Sequence, residues 1–341
     1  MTFERAESEP FKAPKKWALR LALLVLGLAL VAWLVADIGS RLVAGALWYA
    51  APWIPLLFAL EVVILGTDTV AFASILGIRD SRVVPAGPWI RSTAWAFLCL
   101  TVLPAGRVAC EVARAAVFAR YLGATRAARS GAVLQAAALM ADGIISAFVA
   151  GVLLVVFRKI DALSGFLFVN TLVALAGGSA IYLAFKSPKI ADWLGKRLPS
   201  VVPDEKLVRA SDGPVRLPFS ALAWSVAGRF VQVFQYGVAV RAVGGALSFM
   251  GSVVSHGVHM VGATVGTAVP GQVGVADSAY VAFASSLGFA SSPERALSIS
   301  LVLRAAQVAL VVVCLLALFV TKSGANAVTA AHPRDAEGAP S

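Results

Sequence analysis

The stretch LPAGRVACEVARAAVFAR, residues 103–120, places Arg107, Glu111 and Arg114 in a segment flanked on both sides by long apolar runs. On a helix that starts just after Pro104, the three fall at i, i+4 and i+7, one stripe on one face. A charged side chain at the centre of a bilayer costs about 2.5–3.5 kcal/mol on insertion scales, so the stripe is expected to face protein or water. Glu111 can pair with either arginine, which predicts a net positive site. Arginine offers planar bidentate donors, and a helix beginning behind a proline adds free backbone N–H groups and the positive end of the peptide dipole. That combination suits an anion, phosphate above all. The alternative is that the arginines only satisfy carbonyls and Glu111 inside a helix bundle.

Further ionisable groups fall within or beside apolar segments. Asp142, Arg229 and Arg304 lie well inside theirs and join Asp277 as candidates for the same substrate site. Glu61 and Asp68 flank the expected end of the second span and could be interfacial. His256 and His259, three residues apart, could bind a metal or carry a proton. They lack an evident third ligand, so no metal site is assigned. Neither a His-Glu-x-x-His motif nor a Gly-x-Ser-x-Gly elbow is present. ADGIISAFVAG, from Ala141, begins like the Asp-Gly motif of transferases that use cytidine diphosphate-activated alcohols, but the later aspartates are missing. No catalytic residue or cofactor is expected, and the chain is not read as an enzyme.

The elements that must position these residues are membrane helices. The chain of 341 residues is 59% hydrophobic and 14% charged, against about 25% charged in soluble domains. The formal charge of +11 comes from Lys and Arg clustered beside apolar runs, a positive-inside pattern that argues against a nucleic-acid partner. Cys99, Cys110 and Cys314 all lie in apolar segments and imply no disulfide framework.

Six full transmembrane helices are predicted, at about 17–36, 43–66, 131–157, 163–185, 218–240 and 296–320. Two further apolar stretches, 88–122 and 246–288, are interrupted by LPAG and VPGQVG and are read as re-entrant hairpins. Pro104, Gly106, Pro270, Gly271 and Gly274 are their expected tips. Sixteen residues from Pro88 to Leu103 reach only about 24 Å, short of a full crossing. With both ends cytoplasmic, this topology puts most Lys and Arg residues on the inner side. The predicted organisation is a cytoplasmic segment at 1–16, a first membrane repeat at 17–157, a second at 158–320 and a disordered tail at 321–341. A basic cytoplasmic loop at 186–217 contains SPKIADWLGKRLPS, which reads as a short interfacial helix.

The two interrupted segments align. Thr101, Pro104, Glu111, Ala113 and Ala116 match Thr267, Pro270, Asp277, Ala279 and Ala282 at one offset, and a one-residue gap then pairs Leu122 with Leu287. Three spans separate the copies, so the halves are predicted to be inverted, the arrangement of secondary transporters with midplane sites.

Together these features resemble the flippase-like membrane region of the lysylphosphatidylglycerol synthase family, over residues 15–320. The resemblance rests on Pro104, Arg107, Glu111 and Arg114 and on PGQVGVAD at 270–277, similar to the family's Pro-Gly-Gly-x-Gly-x-x-Glu. Asp142 and Arg304 also fall where the family tends to carry charge. Gln272 stands where the family has its second glycine, and Asp277 is shorter than its Glu.

The resemblance implies a stand-alone flippase without the soluble synthase domain. It would move a phospholipid or polyisoprenyl-phosphate headgroup across the cytoplasmic membrane, its partners being membrane lipids and a cognate lipid-synthesising enzyme. An ion-coupled transporter of a small anion and an intramembrane lipid-modifying enzyme are the alternatives.

Overall fold

The computed structural model describes residues 14–103, 106–158, 161–186 and 217–330. Pro104, the expected interfacial helix and the chain beyond 330 lie outside the described residues. Every regular element among the described residues is helical, as so apolar a chain requires where hydrocarbon offers backbone groups no partner.

Helix α1 (Pro14–Ile38) is followed by α2 (Ser40–Ala50), a short turn at Pro52, and α3 (Ile54–Val83). The pair α4 (Ala86–Val102) and α5 (Gly106–Leu122) precedes the long helices α6 (Ala124–Phe157) and α7 (Ala162–Lys186). Beyond residue 217 come α8 (Phe219–Ala242), α9 (Phe249–Val265), α10 (Val275–Ala282) and α11 (Pro293–Ala330).

Among the described residues, four stretches are long and apolar enough to cross a membrane: Ser40–Ile78, Ala124–Val156, Ala162–Ala184 and Pro293–Thr321. By length and composition the chain is an all-α, multi-pass membrane protein. The expected span at 218–240 forms α8 but is not among the four. It carries Arg229, Gln232 and Gln235, and both Arg229 and Gln235 are buried inside the bundle.

The second expected span, 43–66, runs on as α3 to Val83, bending at Gly77. Glu61 and Asp68 therefore sit in mid-helix within the apolar stretch Ser40–Ile78, and Glu61 is buried. Similarly, α11 continues past the expected end at 320 to Ala330.

Both interrupted segments form helical pairs. In the first, α4 packs along α5, and a Cβ on Gly106 would stand 2.5 Å from the Leu100 carbonyl oxygen. In the second, α9 turns through two short 3-10 segments, Gly266–Ala268 and Pro270–Gln272, into α10. This second limb is shorter than the expected 246–288 segment, because α10 has only 8 residues and gives way to turns after Ala282.

The breaks meet. Gly271 has φ +59°, and a Cβ there would lie 2.7 Å from the Thr101 carbonyl oxygen of the first pair. Gly271→Ala is therefore expected to cost the roughly 1–2 kcal/mol of a left-handed L-residue plus separation of the two tips. Gly288, at φ +79° in a left-handed helix cap, has nothing within 4 Å of such a Cβ. Thermal melting should thus fall further for Gly271→Ala than for Gly288→Ala; equal shifts would mean that the contact with Thr101 contributes nothing.

The halves also share a packing plan. Helix α5 lies on α6 as α10 lies on α11, α4 meets α11 as α9 meets α6, and α3 meets α11 as α8 meets α6. Helices α3 and α8 pack on each other. The core at this junction holds Leu57, Ile145, Tyr236, Val258 and Val302. Polar contacts add to it: the Asn170 amide donates to Ser146 Oγ at 3.1 Å, and Thr264 Oγ1 donates to Asn170 Oδ1 at 2.8 Å, tying α6, α7 and α9 together.

Candidate functional site

The stripe on α5 divides between two environments. Arg107 Nη1 lies 2.6 Å from Asp142 Oδ2 on α6, and the other oxygen of that carboxylate accepts from Arg229 Nε on α8 at 2.5 Å. Arg229 also donates to Gln232 Oε1 at 3.2 Å. One carboxylate thus holds two guanidinium groups from different helices, a strong charge-assisted arrangement. The Arg107 side chain is 36% exposed and Asp142 18%, while Arg229 is 8% exposed. Asp68 on α3 is near enough for its charge to act on both arginines.

Arg114 has a different setting. It is 2% exposed, its Nε is 3.5 Å from Glu111 Oε2, and its guanidinium stands 5.1 Å from the centre of the Phe72 ring. Phe72 in turn packs edge-on against Trp89 and Phe118. Glu111, expected to pair with either arginine, is within ion-pair distance of Arg114 and not of Arg107, which goes to Asp142. Arg114 is thus enclosed between Glu111 and the Phe72 ring.

At the second break the polar groups brace the backbone. Arg304 on α11 donates from Nε to Asp277 Oδ1 at 2.9 Å, from Nη1 to the Gly271 carbonyl at 3.0 Å and from Nη2 to the Gln272 carbonyl at 3.2 Å. The Ser300 hydroxyl donates to the same Asp277 oxygen, and Asp277 Oδ2 accepts from the Gly274 N–H at 2.7 Å. Asp277 is fully buried. Pro270 is buried, and Gln272 takes φ +56°.

The alignment explains why the two breaks differ. The pairing of Leu122 with Leu287 carries Leu139 onto Arg304 and Asp142 onto Gln307. The first half therefore has leucine where the second has its bracing arginine, and Glu111, the counterpart of Asp277, turns to Arg114 on its own helix. Gln307 donates to Glu61 Oε1 on α3 at 3.1 Å, so α11 binds α3 through Gln307 and Glu61 much as α6 binds α8 through Asp142 and Arg229.

Between these clusters lie Tyr236 on α8 and His259 on α9, their rings stacked 4.7 Å apart. Tyr236 is near Glu61, Arg229 and Arg304, and His259 is near Arg107, Asp142, Arg229 and Arg304. His256 is buried against the Tyr236 ring, with neither ring nitrogen hydrogen-bonded among the described residues. No three His, Cys, Asp or Glu side chains among those residues are grouped to hold a metal. Cys99, Cys110 and Cys314 are free thiols.

The seven sequence candidates thus join one polar centre with three parts: Arg107–Asp142–Arg229, Glu111–Arg114 and Asp277–Arg304. Asp68 and Glu61 belong to it as well, so among the described residues four arginines face five carboxylates. The expected net positive site is therefore offset by acids from α3. Gln235, Tyr236, Ser300 and Gln307 did not stand out in the sequence; an amide within an apolar helix was the available signal for Gln235 and Gln307.

No protein-family model, curated protein or solved structure matches this chain.

Proposed function

We propose that the chain is a lipid flippase that moves a phosphate-containing headgroup across the cytoplasmic membrane while the acyl or prenyl tails stay in the bilayer. In this reading six spans carry two re-entrant hairpins, α4–α5 and α9–α10, as an inverted repeat with both ends cytoplasmic. The exchange of packing partners between the halves favours it. So does the likeness of the hairpin motifs to the flippase-like region of the lysylphosphatidylglycerol synthase family.

The observation that carries the proposal is the Arg107–Asp142–Arg229 trio, which combines an arginine whose side chain is 36% exposed with a second, buried arginine from α8. A phosphate diester can take bidentate hydrogen bonds from such a pair. Arg114 and Glu111 position α5, and Asp277 and Arg304 hold the second tip.

The test is reconstitution of purified protein in vesicles containing tail-labelled fluorescent phosphatidylglycerol, followed by dithionite quenching. Proteoliposomes should lose signal from both leaflets and protein-free vesicles from the outer one alone, with Arg107→Ala slowing the inner-leaflet loss. The recovered lipid should have unchanged mass. Loss from the outer leaflet alone in proteoliposomes would refute the proposal, and a changed mass would point to lipid modification.

A further inference from the structure

Building on the flippase reading, we infer that the site takes up one proton with each anion, and that Asp142 is the group that receives it. In this structure the position between Arg107 and Arg229 is occupied by the protein's own anion. Both Asp142 oxygens are engaged, one by each guanidinium, at 2.6 and 2.5 Å. A phosphate that takes these two inward-facing N–H groups displaces that carboxylate. The Asp142 side chain is only 18% exposed, so once displaced it would be a partly buried anion without its cations and beside an incoming negative charge. Neutralising it with a proton removes that penalty.

Among the described residues, the helices packed around Asp142 bring no further arginine or lysine to it. From α5 the neighbouring charge is Arg107, already claimed by the ligand, and from α8 it is Arg229, likewise claimed. Helix α3 contributes Asp68, another carboxylate. Helix α9 contributes His259, and α7 meets this turn of α6 through Leu175 against Gly143. An anion arriving alone would add a negative charge to a centre that already holds five carboxyl groups and four arginines, whereas an anion arriving with a proton leaves its net charge unchanged. Proton and anion therefore bind together, and a proton gradient can drive accumulation of the headgroup on the side from which protons are released.

The shared chemistry is an anion of fixed charge, presented by a phospholipid or by a free ion, and the test has an arm for each. Full-length protein in neutral detergent is titrated calorimetrically with short-chain phosphatidylglycerol and, separately, with sulfate. Neither ligand titrates between about pH 6 and about pH 8, so any proton exchanged belongs to the protein. Buffers of different ionisation enthalpy then report protons taken up directly on the wild type.

The expected result is uptake of close to one proton per phosphatidylglycerol, with affinity falling up to about tenfold per pH unit as pH rises. Asp142→Asn should abolish the uptake, flatten the profile and bind more tightly than wild type at the alkaline end. His259→Gln should keep the wild-type slope. Lipid binding without uptake, or uptake that persists in Asp142→Asn, would overturn the inference and leave the flippase reading standing. Proton-linked binding of sulfate with no lipid binding would support the coupling and overturn the lipid. Absence of binding by either ligand would overturn both.

Discussion

Arg304→Ala is expected to be among the most destabilising single substitutions in the chain, costing about 3–5 kcal/mol. The guanidinium spreads three donors over three acceptors, Asp277 Oδ1 and the carbonyls of Gly271 and Gln272. Removing it leaves a fully buried carboxylate with only the Ser300 hydroxyl and the Gly274 N–H, and two carbonyls at the tip lose their donors. Lysine should restore little, because its compact ammonium cannot match a planar fork spread over that distance. The double variant Asp277→Ala/Arg304→Ala should be less damaged than the sum of its singles, since it removes the orphaned charge with its partner. Thermal unfolding of all four proteins in detergent measures this, and strictly additive losses would mean that the pair is not coupled.

The second large effect separates two arginines that occupy the same stripe. Arg107→Ala should weaken binding of short-chain phosphatidylglycerol roughly 10–100-fold, the range of one charge-assisted hydrogen bond, while changing the melting temperature little. Asp142 keeps Arg229 as a partner in that variant, so no buried charge is orphaned. Arg114→Ala should act the other way, because it strips Glu111 of its ion-pair partner and leaves a void beside Phe72. Folded protein and melting temperature should drop markedly, and the folded fraction should bind lipid with near-normal affinity. If Arg114→Ala melts like wild type and fails to bind, the anion site lies at Glu111–Arg114 and the trio is structural.

Much of the architecture was legible in the chain itself. Apolar length and the need to satisfy backbone groups in hydrocarbon dictate helices, and the proline and glycine interruptions fall where the helices break. The alignment of Glu111 with Asp277 predicts two related halves, and in the structure α5 lies on α6 as α10 lies on α11. Periodicity also identified α5 as a helix with a polar face. It could not say which helix each member of that face would meet, because partners at opposite ends of a contact are far apart in sequence. Arg107 and Asp142 come from different helices, and Arg229 comes from the other half.

What the sequence by itself determined is therefore local: helix, break, and the presence of charge within apolar helices, each a consequence of residues within a few turns of one another. Only the tertiary structure decided which charges are spent. Asp277 and Arg304 close a tip, Arg114 is sealed against Phe72, and Asp142 is placed between two guanidinium groups. Glu61 and Asp68 join the centre because the apolar stretch that contains them runs on to Ile78. Those outcomes follow from packing α3, α5, α6, α8 and α11 around one point, where Coulomb energy depends on distance in space.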